Sequence, residues 1–195
     1  SIGLVGSEMC IRDRANFTDK YDPVTRLILE NGGILPFAKK LQDGKVSLPA
    51  LSHDWKPMTM AEKIIAKKLI GGGSRDCFVS PGDAVLATVD GGYSHEYTTA
   101  QVHSFLAAEY GKDYKIPDPS KFAVFEDHLL YATGVPRYGP FVSKIETLRE
   151  LQKSFQKHTG VRDYSAKNGV SPGICHQVAR EEFIVVGDFI LATDS

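Results

Sequence analysis

The stretch Gly169-Val-Ser-Pro-Gly-Ile-Cys-His-Gln-Val-Ala-Arg-Glu181, continued by Val186-Gly-Asp-Phe-Ile-Leu-Ala-Thr-Asp-Ser195, decides the fold. A Pro172-Gly173 turn leads into a short segment carrying His176, and a second turn feeds the apolar run 189–192, which ends on Asp194-Ser195. Polar side chains at the end of a strand are where open α/β sheets hold their ligands. Two earlier stretches have the same form. Residues 84–89 are short, apolar and rich in strand formers, and read as a buried parallel strand that opens into the polar cluster 94–101. Residues 122–125 (Phe-Ala-Val-Phe) read as a strand running into Glu126-Asp127-His128. Strands and helices thus alternate at least three times, which predicts an α/β domain with a mainly parallel sheet.

Composition narrows the class. The 195 residues are 42% hydrophobic and carry 23 basic against 24 acidic side chains, a net charge of −1. Such a balance describes a globular protein and offers no field for nucleic acid or an anionic membrane. No apolar run approaches the roughly 20 residues that span a bilayer, so neither nucleic acid nor membrane is expected as a partner. Cys10, Cys77 and Cys175 are scattered without Cys-x-x-Cys spacing, which argues against a disulfide framework or a complete zinc or iron–sulfur site. A reducing cytoplasm is the expected compartment.

Residues 1–14 read like a translated sequencing-library adapter, Leu4-Val-Gly-Ser-Glu-Met-Cys-Ile-Arg-Asp-Arg14, and are set aside from the fold. Asp22-Pro23 starts a helix with a capping carboxylate followed by proline; Val24, Leu27 and Ile28 form its stripe, and Gly32-Gly33 ends it. Residues 42–57 are polar and turn-rich and read as a linker, with His53, Asp54 and Trp55 as solvated or docking residues. Thr59-Met-Ala-Glu62 is a capping box that opens an amphipathic helix with Met60, Ile64 and Leu69 inward and Lys63, Lys67 and Lys68 outward. The three glycines 71–73 stop it; no Gly-Lys-Ser/Thr follows to make a phosphate loop. After the 94–101 cluster a helix should face Val102, Phe105 and Leu106 inward. Phe141, Ile145, Leu148, Leu151 and Phe155 mark one face of a later helix, with His158 near its C-terminal dipole.

Four strand ends or adjoining turns therefore offer chemistry: His95, Asp127-His128, His176 and Asp194-Ser195. At the first, Thr98 or Thr99 also serves as the natural helix cap. At the second, an aspartate beside a histidine can fix the ring's tautomer and stabilise its imidazolium, provided a turn makes the adjacent side chains converge. These residue types alone support an α/β enzyme site of histidines and carboxylates. They also allow a metal hydrolase, against which no two histidines share i,i+4 helical spacing.

The motifs resemble the aconitase superfamily, the iron–sulfur hydro-lyases, most closely the large subunits of isopropylmalate isomerase and homoaconitase. The pieces stand in the family's order from Pro57 to Ser195: Met58-Thr-Met-Ala-Glu-Lys63, Ser94-His-Glu-Tyr-Thr98, Asp127-His128, Gly173-Ile-Cys-His-Gln177 and Thr193-Asp-Ser195. Separately, Arg26-Leu-Ile-Leu-Glu-Asn-Gly-Gly-Ile-Leu-Pro-Phe37 resembles the final helix of the small, swivelling subunit. The resemblance implies a truncated aconitase-like three-layer domain over residues 58–195, preceded by the linker 42–57 and by the tail of a swivelling domain over 15–41. It implies an enzyme that dehydrates and rehydrates a 2-hydroxy di- or tricarboxylic acid on a 4Fe-4S cluster, whose iron acts as Lewis acid.

By the same resemblance His128 protonates the leaving hydroxyl with Asp127 as its partner, and His176 hydrogen-bonds the hydroxyl or water on the iron. Asp194 orients a histidine expected just after the break, Ser195 fixes a substrate carboxylate, and His95 lines the substrate site. The cluster cysteines are expected beyond the C-terminal break, so the fragment alone should bind no cluster and be inactive. A hydroxy-carboxylic acid and a swivelling domain or small subunit are the partners implied. A non-catalytic aconitase-like paralogue or binding module is the alternative, and an RNA-binding homologue would need a basic surface that this charge balance lacks.

Overall fold

The computed structural model describes residues 20–51, 54–71 and 77–193. The adapter-like residues 1–14, His53, Gly72, Gly73, Asp194 and Ser195 lie outside them. The chain divides into two compact units, residues 1–88 and 89–195.

In the first unit, α1 (Pro23–Glu30) starts where Asp22 accepts the backbone N–H groups of Val24 and Thr25 at 2.9 and 2.8 Å. It stops at the Gly32-Gly33 pair, whose φ of 91° and 109° suit glycine. A second helix, α2 (Ile34–Gln42), follows at once and buries Phe37. Residues 47–59 form neither helix nor strand where described. The helix α3 (Met60–Ala66) opens on the expected capping box: Glu62 accepts the Thr59 N–H at 2.7 Å and Thr59 Oγ1 accepts the Glu62 N–H at 3.3 Å. Met60 does not face inward; it is 72% exposed, as befits the first residue of a helix that buries no side chain completely. Leu69 lies beyond the helix, in an isolated antiparallel bridge with Ala87. An apolar cavity of about 280 Å³ is lined by Val24, Leu48, Leu69, Cys77, Val85 and Leu86.

The second unit is built on a four-stranded, all-parallel sheet in the order β3-β2-β1-β4: β1 (Gly91–His95), β2 (Phe122–Phe125), β3 (Arg162–Tyr164) and β4 (Ile190–Ala192). Helices α4 (Thr99–Tyr110) and α5 (Val142–Thr159) pack on one face, where Val124, Tyr114, Phe155 and Val161 form a core with Val102 and Leu106 at its margin. The short helix α6 (Cys175–Val178) and the π-helical turn Ala179–Phe183 cover the other, around Tyr93, Ala123 and Phe125. Period-two alternation along β1 and β2 sends successive side chains to these two cores, giving helix, sheet and helix layers. The α/β class and parallel sheet expected from the sequence are present.

One strand lies elsewhere than expected. Residues 84–89 form no strand; the strand is β1, and it opens with two glycines. A Cβ on Gly91 would lie 2.6 Å from the carbonyl oxygen of Lys121, and one on Gly92 2.9 Å from that of Leu191. Backbone from both neighbouring strands comes too close for any side chain, so glycine here is a packing requirement. Two helix faces match expectation in part: Val102 and Leu106 on α4 and Ile145 and Phe155 on α5 face inward, and other expected positions do not. Phe105 is 66% exposed, Phe141 and Leu151 are exposed, and α5 buries Ile145, Gln152, Phe155 and Thr159. Gln152 replaces Leu151 on the inner face because it has polar partners there, accepting from Thr99 Oγ1 and donating to Ser165 Oγ. His158 stands in the last turn of α5, as expected, and also bonds the carbonyl of Tyr114 at 2.9 Å.

Gly91→Ala should lower the unfolding free energy by about 1–3 kcal/mol through overpacking. Gly134→Ala, where nothing lies within 4 Å of the added methyl, should stay within about 0.5 kcal/mol of the parent; urea titrations of both compare them. A second expectation concerns acid. Hydrogen bonds from the Thr59 N–H and hydroxyl, with Lys56 beside them, hold the Glu62 carboxyl below its ordinary value. A carboxyl so lowered stabilises the folded helix above its unfolded pKa, and that contribution is lost as pH falls through the folded one. NMR shifts of residues 60–66 should therefore report fraying on acidification, and Thr59→Ala should move that loss to higher pH.

Candidate functional site

Register brings the site together. His95, the last residue of β1, lies opposite Phe125, the last residue of β2, so the segments leaving both strands emerge on one edge of the sheet. The chain order runs β1-β2-β3 to one side and then returns to place β4 against the other side of β1. Parallel sheets bind their ligands at such a switch point.

The turn after β1 is buried and tightly bonded. Ser94, His95, Glu96 and Thr99 are all inaccessible to solvent. The His95 carbonyl accepts from the Thr98 N–H at 3.0 Å and from Thr99 Oγ1 at 2.8 Å, which bends the chain into α4. Thr98 is the N-cap residue but makes no side-chain cap; its hydroxyl lies 2.6 Å from that of Thr193, just before the end of the described chain. The His95 ring accepts the Tyr97 N–H on Nδ1 at 3.3 Å, so a neutral ring carries its proton on Nε2.

The segment after β2 is pinned by Glu96. One carboxylate oxygen accepts the Asp127 N–H at 3.1 Å and the other accepts the Leu129 N–H. Holding two N–H groups two residues apart bends the backbone between them. That is what lets Asp127 and His128, adjacent in sequence, turn their side chains toward each other. Asp127 Oδ1 lies 2.5 Å from His128 Nδ1, and Oδ2 accepts the Cys175 N–H at 2.6 Å. The neighbouring Glu126, 1% exposed, accepts from Arg149 and from the Ala166 N–H. Burial opposes the Arg149 charge, but hydrogen bonding to Glu126 and attraction to Glu126 and Glu146 together hold its pKa above the ordinary value.

The His128 ring stacks on His95, with centroids 3.8 Å apart and planes 12° from parallel. Like charges at that separation repel, so the stack disfavours protonation of both rings at once. His176, the second residue of α6, has Nδ1 2.6 Å from the Tyr93 hydroxyl. Tyr93 stands two residues before His95 on the same face of β1. Strand ends separated by tens of residues thus place His95, Asp127 and His128 in direct contact, with His176 anchored beside them through Tyr93 and the Asp127–Cys175 bond. Asp194 and Ser195 fall outside the described residues. The sequence reading assigned no role to Glu96 or Tyr93, although Glu96 stands within the Ser94-His-Glu-Tyr-Thr98 piece.

Two ligand groups lie close enough to share a cation, His95-Glu96-His128 and Asp127-His128-Cys175. A cluster held by three thiolates finds no such set among the described residues, which contain two cysteines, Cys77 and Cys175, neither in a disulfide. Cys175 is buried in the core beside Tyr93 and Phe125. The described residues therefore do not fit a cluster-binding role.

No protein-family profile matches the chain. Curated relatives do. It is 30% identical over 140 residues to the chloroplastic 3-isopropylmalate dehydratase large subunit of Arabidopsis thaliana, covering 71% of the chain and 26% of that protein. It is 31% identical over 140 residues to the probable 3-isopropylmalate dehydratase large subunit of Methanothermobacter thermautotrophicus, covering 71% of the chain and 29% of the relative. To the methanogen homoaconitase large subunit of Methanocaldococcus jannaschii it is 30% identical over 138 residues, 71% of the chain and 28% of the relative. The chain spans little more than a quarter of the length of these relatives.

Glu96→Gln preserves shape but turns an amide N–H₂ toward a backbone N–H. The buried clash of donors should cost about 1–3 kcal/mol, read from urea unfolding, and should loosen the 127–129 turn, read from amide exchange at Leu129.

Proposed function

We propose that this chain, which belongs to the aconitase superfamily with the large subunits of 3-isopropylmalate dehydratase and homoaconitase, is part of a longer hydro-lyase. That enzyme would isomerise a 2-hydroxy di- or tricarboxylic acid by dehydration and rehydration, in the manner of 3-isopropylmalate dehydratase or aconitate hydratase. The observation that carries the reading is the three-way join at Asp127. One oxygen holds the His128 ring, the other holds the start of the His176 helix, and the ring rests on His95.

The chemistry follows from a difficulty in the reaction. Hydroxide is a poor leaving group, so the C–O bond breaks only as a proton reaches the departing oxygen. His128 supplies it from Nε2, while Asp127 keeps the Nδ1 proton in place and stabilises the imidazolium before transfer. Rehydration runs the step in reverse, His128 recovering its proton from the incoming water. His176 donates a hydrogen bond to the hydroxyl or water, and His95, buried behind His128, backs the substrate site and limits the rotation of that ring. Asp194 and Ser195 would extend the site, orienting a following histidine and a substrate carboxylate.

A 4Fe-4S cluster in the parent enzyme would be held by residues outside this chain, and no step here runs through it. The base that takes the carbon-bound proton is assigned to a swivelling domain or small subunit. Residues 58–195 would belong to the large-subunit domain, 42–57 to a linker and 15–41 to the tail of a swivelling domain, with 1–14 derived from an adapter. Among the described residues no helix is long and apolar enough to cross a membrane; a cytoplasmic setting is part of the proposal. The chain by itself would be inactive.

In the longer protein, reconstituted with its cluster and partner, His128→Ala should lower turnover roughly 100- to 10,000-fold without changing iron content. Asp127→Asn should give a smaller defect of the same kind. Assays on isopropylmalate, homocitrate-type acids and citrate measure both, and a fully active His128→Ala enzyme would remove His128 from the mechanism.

A further inference from the structure

We infer that Tyr93 is a positioning residue that sets the tautomer of His176 and thereby makes it a hydrogen-bond donor toward substrate; the catalytic meaning of this rests on the hydro-lyase reading above. The phenol oxygen lies 2.6 Å from His176 Nδ1. A phenol near neutral pH carries its proton, and a neutral imidazole has one bare nitrogen to receive it. With Nδ1 accepting, the ring's own proton resides on Nε2. That edge then offers an N–H, which suits an oxygen with lone pairs, such as a hydroxyl or a water. The opposite tautomer would present a bare nitrogen and could only accept.

The surroundings fix the phenol. Tyr93 is 5% exposed and sits in the middle of β1, the strand wedged so closely between its neighbours that Gly91 and Gly92 precede it. Its ring packs edge-on against Phe125 at 5.3 Å and against His176 at 5.7 Å, and its carbonyl accepts the Thr193 N–H at 3.0 Å. His176 is held from its other side, because the N–H of the preceding Cys175 is bound by Asp127. The two histidines thereby receive different partners. A carboxylate on His128 stabilises positive charge and suits a proton donor. A phenol on His176 supplies a hydrogen bond that fixes which ring nitrogen carries the proton.

Two readouts test this separately. In the 195-residue chain, nitrogen NMR of the imidazoles should show His176 protonated on Nε2, and Tyr93→Phe should shift it to a mixture of tautomers with the fold retained. In the longer protein with its cluster and partner, Tyr93→Phe should lower kcat about 10- to 100-fold, leave KM within about threefold, and displace one limb of the pH–rate profile. Should Tyr93→Phe fail to fold, a fluorinated tyrosine at position 93 keeps the shape and changes the acidity of the phenol alone; the His176 nitrogen signals must then move with it. An unchanged His176 tautomer in Tyr93→Phe, unmoved His176 nitrogen signals in the fluorinated variant, or unchanged kcat and pH profile in a folded Tyr93→Phe enzyme, overturns the inference. A wild-type longer protein inactive on every hydroxy acid would instead overturn the hydro-lyase reading and leave the NMR result to decide Tyr93.

Discussion

Everything at the strand ends depends on how the buried carboxylate of Asp127 divides its two oxygens. One holds the His128 ring and the other the first N–H of α6. Buried carboxylates are tolerable only when their lone pairs are fully engaged, and here the engagement itself does the assembly. The β2 end, the His128 ring and the loop arriving from residue 174 cannot be placed independently, because each satisfies part of the same charge. Glu96 repeats the device one strand over, spending both its oxygens on the backbone of the turn that carries Asp127. Two buried acids, one after each of two neighbouring strands, thus tie together backbone that side-chain packing alone would have to hold.

This explains which parts of the molecule are legible in the sequence. Local rules carry over well: the Thr59–Glu62 box, the Asp22 cap, the glycine stop after α1 and the apolar strand 122–125 all follow from residues within a few positions of each other. The Asp127-His128 pair is legible too, since its members are adjacent. What fails is whatever long-range geometry decides. Residues 84–89 look like a strand by composition, yet the strand is the Gly91-Gly92 segment, whose fitness comes from carbonyls of residues 121 and 191. The role of Glu96 rests on N–H groups 31 and 33 residues away.

Helix phase fails for a related reason. Counting apolar residues on α5 favours Leu151, whereas the protein buries Gln152 because a hydroxyl on α4 and another beyond β3 are waiting for it. A hydrophobic count assigns such a position to the surface; a polar chain threading Ser94, Thr99, Gln152 and Ser165 assigns it to the interior. Leaving one of those groups unbonded would cost about 1–3 kcal/mol, as much as burying one more leucine gains.

The position of β4 also governs how this protein is made. β1 finishes near residue 95, but its second neighbour is β4, and the Thr193–Tyr93 contact closes across 100 residues. At synthesis rates of about 5–20 residues per second, the nascent chain carries that bare strand edge for roughly 5–20 s before its cover emerges. With glycines at its start, the exposed edge has few side chains to ward off a foreign strand. Translation speed between residues 95 and 193 is therefore part of what decides how much of the polypeptide reaches its native sheet.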